Sequence, residues 1–439
     1  MSGGAEATST AQVPAGGRRA APPARRFRVT TPILLLGGAG LVVLLSAVRI
    51  VTGADDITSG GTIAAALGLA VPIGLAALGG LWSERAGVVN IGLEGMMVLG
   101  TWFGAWGTLQ FGSPWAGVVA GAIGGALGGA IHAVATVTFG VDHIISGVAI
   151  NIVGMGFTQY LSKLVFEKMP GGGTKNSPQL PEMPRLSITV IDGPLRNLEG
   201  RHWFLVSDLA GILRGLTQGV SWFTLLAILL IPLSYYILWR TAFGLRLRSC
   251  GERPVAAESL GVNVYLYKWA AVVVSGLLAG LGGAFLSIVA AGIYRDGQTG
   301  GRGYIGLAAM IFGNWRPGGL AGGAALFGYT DALQLRQGGT SVHALLLVVA
   351  LILAAVAVFQ LVRQSRTVLL GRQSRTMAAS VTAGCAALVF VVFMATDTVP
   401  EQFTTFTPHL TTLLVLSLAS QRLRMPAADG IPYRRGQTT

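Results

Sequence analysis

Ser83, Glu84, Arg85, Asn90 and Glu94 lie within 81–100, one of the most apolar stretches of the chain. Carboxylates and guanidinium groups are expensive to place in hydrocarbon, so they face a protein interior, a cavity or a partner charge. The chemistry open to them is that of a polar path: amides and a few charges hold a solute by hydrogen bonds, or brace the walls around it. Gly87, Gly92 and Gly95 sit among them and let backbones approach closely or a helix break. Asn151, Asn314, Asp331 and His132 are further polar groups in or beside apolar runs. Each either lines a path or is satisfied inside a bundle. Covalent chemistry finds no support. There is no Gly-Lys dipeptide and hence no GxxxxGK[ST] phosphate loop. There is no HExxH, no GxSxG in a strand–turn–helix setting, and no ladder of intramembrane acids. Cys250 and Cys385 stand far apart without metal-ligand spacing, so neither a disulfide nor a metal is expected.

The elements that position these groups are membrane helices. The chain is 52% hydrophobic and only 11% charged, where a soluble domain carries about 25% charged residues. The expected class is all-α, a polytopic membrane helical bundle. The net charge of +13 is spread as the positive-inside rule requires, in an Arg-rich start and in short loops. It implies a bilayer and no nucleic acid. Residues 1–31 read as a disordered basic cytosolic tail, 32–420 as the transmembrane domain and 421–439 as a second cytosolic tail. A spanning helix needs about 20 apolar residues. Spans are expected near 32–51, 59–81, 86–110, 114–138, 143–166, 220–239, 268–292, 318–335, 342–362 and 377–396, with 303–315 and 408–420 ambiguous. That makes about 10–12 crossings, with both termini cytosolic. The parity holds if 303–315 crosses as a broken helix. Loop 240–268 and the basic loop 363–375 then fall inside. The Pro/Gly-rich segment 167–219 falls outside, with 203–216 as a short interfacial helix. The Arg-Gln-Ser-Arg-Thr repeat at 363 and 372 reads as a duplicated cytosolic basic loop.

Gly121, Gly125 and Gly129, Gly276 and Gly280, and Gly319 and Gly323 follow small-xxx-small spacing. Packing within one chain is the preferred reading over dimerisation. In Cys250-Gly-Glu-Arg-Pro-Val-Ala-Ala-Glu-Ser-Leu-Gly-Val-Asn263, Pro254 suits the first turn of a helix and Gly261 its C′ position. The helix over 255–260 is too short to be stable without a partner. An ordinary connecting loop is the equal alternative on physical grounds. In Asn314-Trp-Arg-Pro317, the proline predicts a break at Arg316.

Trp82-Ser-Glu-Arg-Ala-Gly-Val-Val-Asn-Ile-Gly-Leu-Glu-Gly-Met-Met97 resembles the signature of bacterial ABC-importer permeases of the branched-chain amino-acid and simple-sugar family, nucleoside-type branch. The resemblance continues at 251–261, 275–284 and 301–317, and at Ile431-Pro-Tyr433. It implies a non-enzymatic subunit in the bacterial plasma membrane that forms the path for nucleoside-like solutes. Simple sugars and branched-chain amino acids are the alternatives. ATP would be used by a separate cytosolic ATPase, and this chain would bind no cofactor. A second permease chain, preferably a related one, would complete the path, and an external substrate-binding lipoprotein would feed it. Loop 251–263 would be the coupling helix, through Glu252, Pro254, Ala256, Ala257, Glu258 and Gly261. Glu258→Arg or Ala257→Trp would then uncouple transport. Asn90, Glu94, Asn151 and Asn314 are assigned to the pathway or its support. Ser83, Glu84, Arg85, Gly92 and Gly95 are assigned to the motif around it. Glu94 is alternatively a brace for Arg85, which requires a broken helix. Two departures from the family are a long basic N-terminus and an inserted hairpin at 342–396. A self-sufficient secondary carrier or channel is the alternative of another class, although the two halves of the chain do not match.

Overall fold

The computed structural model describes residues 31–365, 372–404, 406–407, 410–411 and 423–436. The basic tail up to residue 30, most of the expected span 408–420, and the side chains of the Arg-Gln-Ser-Arg-Thr repeat lie outside the described residues.

The chain is a succession of helices: α1 (Thr31–Thr52), α2 (Gly60–Arg85), α3 (Leu93–Phe111), α4 (Pro114–Ala133), α5 (His143–Val165), α6 (Thr189–Glu199), α7 (Val206–Thr217), α8 (Trp222–Arg240), α9 (Ala242–Glu252), α10 (Pro254–Ser259), α11 (Val264–Phe285), α12 (Arg302–Phe312), α13 (Pro317–Ser365) and α14 (Arg372–Ala395). π-helical turns extend α4 to Thr138 and α11 to Ala291. A two-residue antiparallel ladder, Arg185–Leu186 against Val220–Ser221, closes the segment that holds α6 and α7. The described residues from Val42 onwards form one compact unit. Local sequence explains many helix starts. Ser59, Asp142, Ser221, Thr241 and Asn263 each cap a first turn by accepting from a backbone N–H, and Pro114 and Pro254 open α4 and α10.

Among the described residues, six helices are long and apolar enough to cross a membrane: Gly60–Arg85, Pro114–Thr138, His143–Lys168, Trp222–Arg240, Val264–Ala291 and Gly338–Val362. Shorter apolar helices are Leu36–Thr52, Arg302–Phe312 and Ala379–Ala395. The chain is thus a multi-pass helical membrane protein. Helices α2, α3, α4 and α11 form its centre. The glycine stripes of α4 and α11 meet there. A Cβ on Gly125 would lie 2.2 Å from the Gly276 carbonyl oxygen and 2.5 Å from the Gly280 Cα, so the backbones touch and no side chain fits between them. The stripes serve packing inside the chain.

Three expected spans are corrected, and one ambiguous run is resolved. The run 86–110 is not one helix: α2 ends at Arg85 and α3 begins at Leu93. Gly87 takes a left-handed φ of +82° in the gap, which hydropathy alone cannot reveal because the gap, Asn90 apart, is itself apolar. The runs 318–335 and 342–362 are one continuous helix, α13. Gly338 and Gly339 suggest a turn by composition, yet they lie inside it, so no reversal separates the two runs. The hairpin of α13 with α14 therefore grows out of a helix of the body. The run 303–315 yields α12, only 11 residues and about 16 Å long, against about 30 Å of hydrocarbon. It is half a span, entered through the irregular arm 292–301.

Candidate functional site

Two groups of polar side chains flank α12, one at each of its ends. The first lies inside the bundle at its N-terminus. Glu94, in the first turn of α3, accepts from Gly301 N at 2.9 Å and Gly303 N at 2.7 Å. These are orphan donors at a helix start, and the carboxylate also suits the positive end of the helix dipole. Asn151 on α5 accepts from Gly95 N at 2.7 Å and donates to Ile91 O at 3.1 Å and the Tyr304 hydroxyl at 2.8 Å. Asn90 donates to Ser275 Oγ at 2.8 Å. Gly92 and Gly95 allow this convergence: a Cβ on Gly95 would sit 2.5 Å from the Ile150 carbonyl oxygen. Beside the group, Arg302 pairs with Asp331 at 3.0 Å. Asn90, Glu94 and Asn151 are buried, whereas the Tyr304 ring is 47% exposed. Tyr304 is the residue that sequence reasoning missed, and only its place in 301–317 hinted at it.

The second group lies at the end of the bundle that carries the Arg-rich loop of α9 and α10. Glu84 accepts from Trp315 Nε1 at 2.5 Å, and Arg85 donates to Trp315 O at 2.6 and 3.1 Å. Arg85 also lies 3.9 Å from Glu252 and over the Trp239 ring. Ser83 donates to Gly80 O, and its own carbonyl accepts from Val88 N. Asn314 and Trp315 both have left-handed φ, +54° and +52°. That is tolerable for asparagine and strained for tryptophan, so the grip of Glu84 and Arg85 holds a turn that would not hold itself. The alternative pairing of Glu94 with Arg85 fails here: the helix is broken between them, but the break sends them to opposite ends of α12. Asn314 lies with this second group, apart from Asn90, Glu94 and Asn151. It accepts from Arg424 N at 2.7 Å.

α10 keeps its expected caps, with Pro254 at its first turn and Gly261 at φ +79°. Its faces are unequal. Ala257 is buried against Cys250 and Val264. Glu258 accepts from the Tyr433 hydroxyl at 2.5 Å and from Arg435 at 3.2 Å. Val255, Ala256, Ser259 and Leu260 face outwards, Leu260 at 84% exposure. Ala257→Trp would therefore disrupt the fold of the loop, whereas Leu260 can be changed without disturbing it. The segment 423–436 straps this end. Ala427 N and Ala428 N donate to Glu252 Oε2 and Gly251 O.

Asp429, on that strap, is buried beside Glu84, and burial pushes its pKa up to about 7. An unfolded aspartate titrates near pH 4. Its docking contribution is then full below about pH 4 and is lost as pH rises through about 7. Proteolysis of the C-terminal segment should speed up as pH rises from about 4 to about 7 and level off above that, the window between the unfolded and folded values, and Asp429→Asn should remove the change. Equal rates in both chains would contradict this.

A helical membrane bundle with a half-helix at its heart and a short, capped helix on its basic face is the architecture of a transport subunit. The chain belongs to the family described as branched-chain amino acid transport system, permease component, whose model matches residues 62–357. It is 37% identical to the guanosine ABC transporter permease NupQ of Bacillus subtilis, over 62% of this chain and 81% of that protein. It is 38% identical to the nucleoside ABC transporter permease NupC of Lactococcus lactis, over 61% and 80%. The glucose ABC transporter permease TsgB13 of Haloferax volcanii is 25% identical over 64% and 72%. No solved structure matches the chain. It is a multi-pass plasma-membrane permease subunit and, like these relatives, a transport component rather than an enzyme. A permease of this class works with an ATPase and a substrate-binding protein.

Proposed function

We propose that this chain forms one wall of the path for nucleosides in an ATP-driven importer. The observation that carries this reading is its 37–38% identity to guanosine and nucleoside permeases over about three fifths of its length. A nucleoside is uncharged, with a flat base and a hydroxylated sugar. Tyr304 offers a ring for the base, and Asn151 holds that ring by its hydroxyl. Base–aromatic stacking is worth about 1–3 kcal/mol. Tyr304→Ala should raise KM for guanosine uptake about tenfold, while Tyr304→Phe stays near wild type. Equal effects of the two would assign the hydroxyl, not the ring.

α10 is the docking point for a cytosolic ATPase. Its exposed Val255, Ala256, Ser259 and Leu260 would enter a groove of that partner. Movement there reaches α12 through Glu252, Arg85 and Trp315, and α12 bears on Glu94 and Tyr304 at its other end. The partner permease chain covers the opposite side of the path, and an external receptor delivers the solute. The test is uptake of labelled guanosine, adenosine, ribose and leucine by cells with and without the gene. Loss of nucleoside uptake alone is expected. Loss of ribose or leucine uptake instead would replace the solute class.

A further inference from the structure

α7 is built inside out for a helix in a water-exposed loop. Its exposed side chains are Val206, Leu209, Leu213 and Leu216, all aliphatic and spaced along one face. Its charged residues turn inwards. Asp208 is 1% exposed. It pairs with Arg49 of α1 at 2.9 Å and accepts from Ser46 at 2.5 Å and from Thr58. Arg214 pairs with Asp192 and Glu199 of α6 at 2.8 and 2.9 Å, and Glu199 Oε1 accepts from Gly60 N at the start of α2. Gly211 and Gly215 bring α7 against the first turn of α2, where Cβ atoms would lie 2.5 Å from Thr58 O and 2.6 Å from Gly60 O.

We infer that α7 is seated in the lipid leaflet at the end of the bundle opposite α10, with its aliphatic face among the acyl chains. An outward apolar face with a paired, inward polar face is the pattern of a lipid-facing surface, the reverse of that of a soluble helix. The end of α1, to which α7 is paired through Arg49, also exposes apolar side chains: Ile50 at 55% and Val51 at 73%. Trp203, with Arg201 stacked 4.9 Å from its ring centroid, precedes α7 and suits the headgroup level. The second half of α6 marks the water side, because it exposes Arg196 and Asn197, although Val190 near its start is also exposed. The buried Arg49–Asp208 pair then pins a monotopic helix to the outer ends of α1 and α2, which keeps 167–219 flat against the membrane. The inference does not depend on which solute is carried.

The test uses the full chain in phosphatidylcholine vesicles. An environment-sensitive nitrobenzoxadiazole label is placed at Leu213→Cys, at Leu209→Cys or at Asn197→Cys. Each variant also carries Cys385→Ser, since Cys385 is exposed and Cys250 is buried. Labels at 209 and 213 should emit at shorter wavelength and be quenched by doxyl-labelled lipid and not by iodide. The label at 197 should show the reverse. Iodide quenching at 209 and 213 equal to that at 197 would place α7 in water. Protection of both sites from both quenchers would mean that protein covers the face. Either result overturns the assignment.

Discussion

Gly125→Ala is expected to destabilise the chain by about 3 kcal/mol or more, whereas Gly68→Ala is expected to be neutral or slightly stabilising. The two substitutions add the same methyl group to a membrane helix. At Gly125 the new carbon meets the Gly276 carbonyl oxygen at 2.2 Å and the Gly280 Cα at 2.5 Å. Both are backbone atoms of a helix packed on its far side, so neither can turn away. At Gly68 nothing lies within 4 Å, and alanine is the better helix former by about 1 kcal/mol. Thermal unfolding of the detergent-solubilised chains measures the difference. Equal stability would mean that α4 and α11 do not pack through these glycines.

Leu260→Asp is expected to abolish ATP-driven uptake while leaving the protein at its normal level in the membrane. A side chain this exposed on the basic face contributes little to the fold, so its loss is tolerated by the subunit itself. An apolar anchor at the centre of an interface contributes about 2 kcal/mol or more, and a carboxylate in the same groove adds a desolvation cost. Affinity for the ATPase should fall about 30-fold or further. Co-purification of the partner with wild-type and Leu260→Asp chains checks this. Glu258→Arg acts by a different route, since it breaks the contacts with Tyr433 and Arg435 and frees the strap. Unchanged co-purification with Leu260→Asp would move the docking site away from α10.

The parts legible in the sequence were those carried by local rules. The caps of α10 followed from Pro254 and Gly261 within eight residues of each other. The glycine stripes announced close packing by spacing alone. The polar residues of 81–100 were conspicuous because hydrocarbon penalises them. What failed needed information that local pattern does not hold. The gap at 86–92 is apolar apart from Asn90, and Gly87 and Gly92 permit a break without fixing its place, which tertiary contacts set, among them Lys268 donating to Gly87 O. α13 runs through two glycines because packing overrides propensity. Glu94 finds its partners at Gly301 and Gly303, and Asn314 finds Arg424, across separations of 207, 209 and 110 residues. The sequence of 203–216 suggested a short interfacial helix, but the inward turn of Asp208 depends on Arg49, 159 residues earlier, and was not legible.

The central claim is that this chain moves a nucleoside only when a partner ATPase works on α10. The most direct measurement is guanosine accumulation in proteoliposomes that hold the assembled transporter and its receptor, with either an active or a hydrolysis-dead ATPase. Accumulation against a gradient with the active ATPase, and none with the dead one, is the predicted result. Equal accumulation with both would contradict the account and make the chain a self-sufficient carrier.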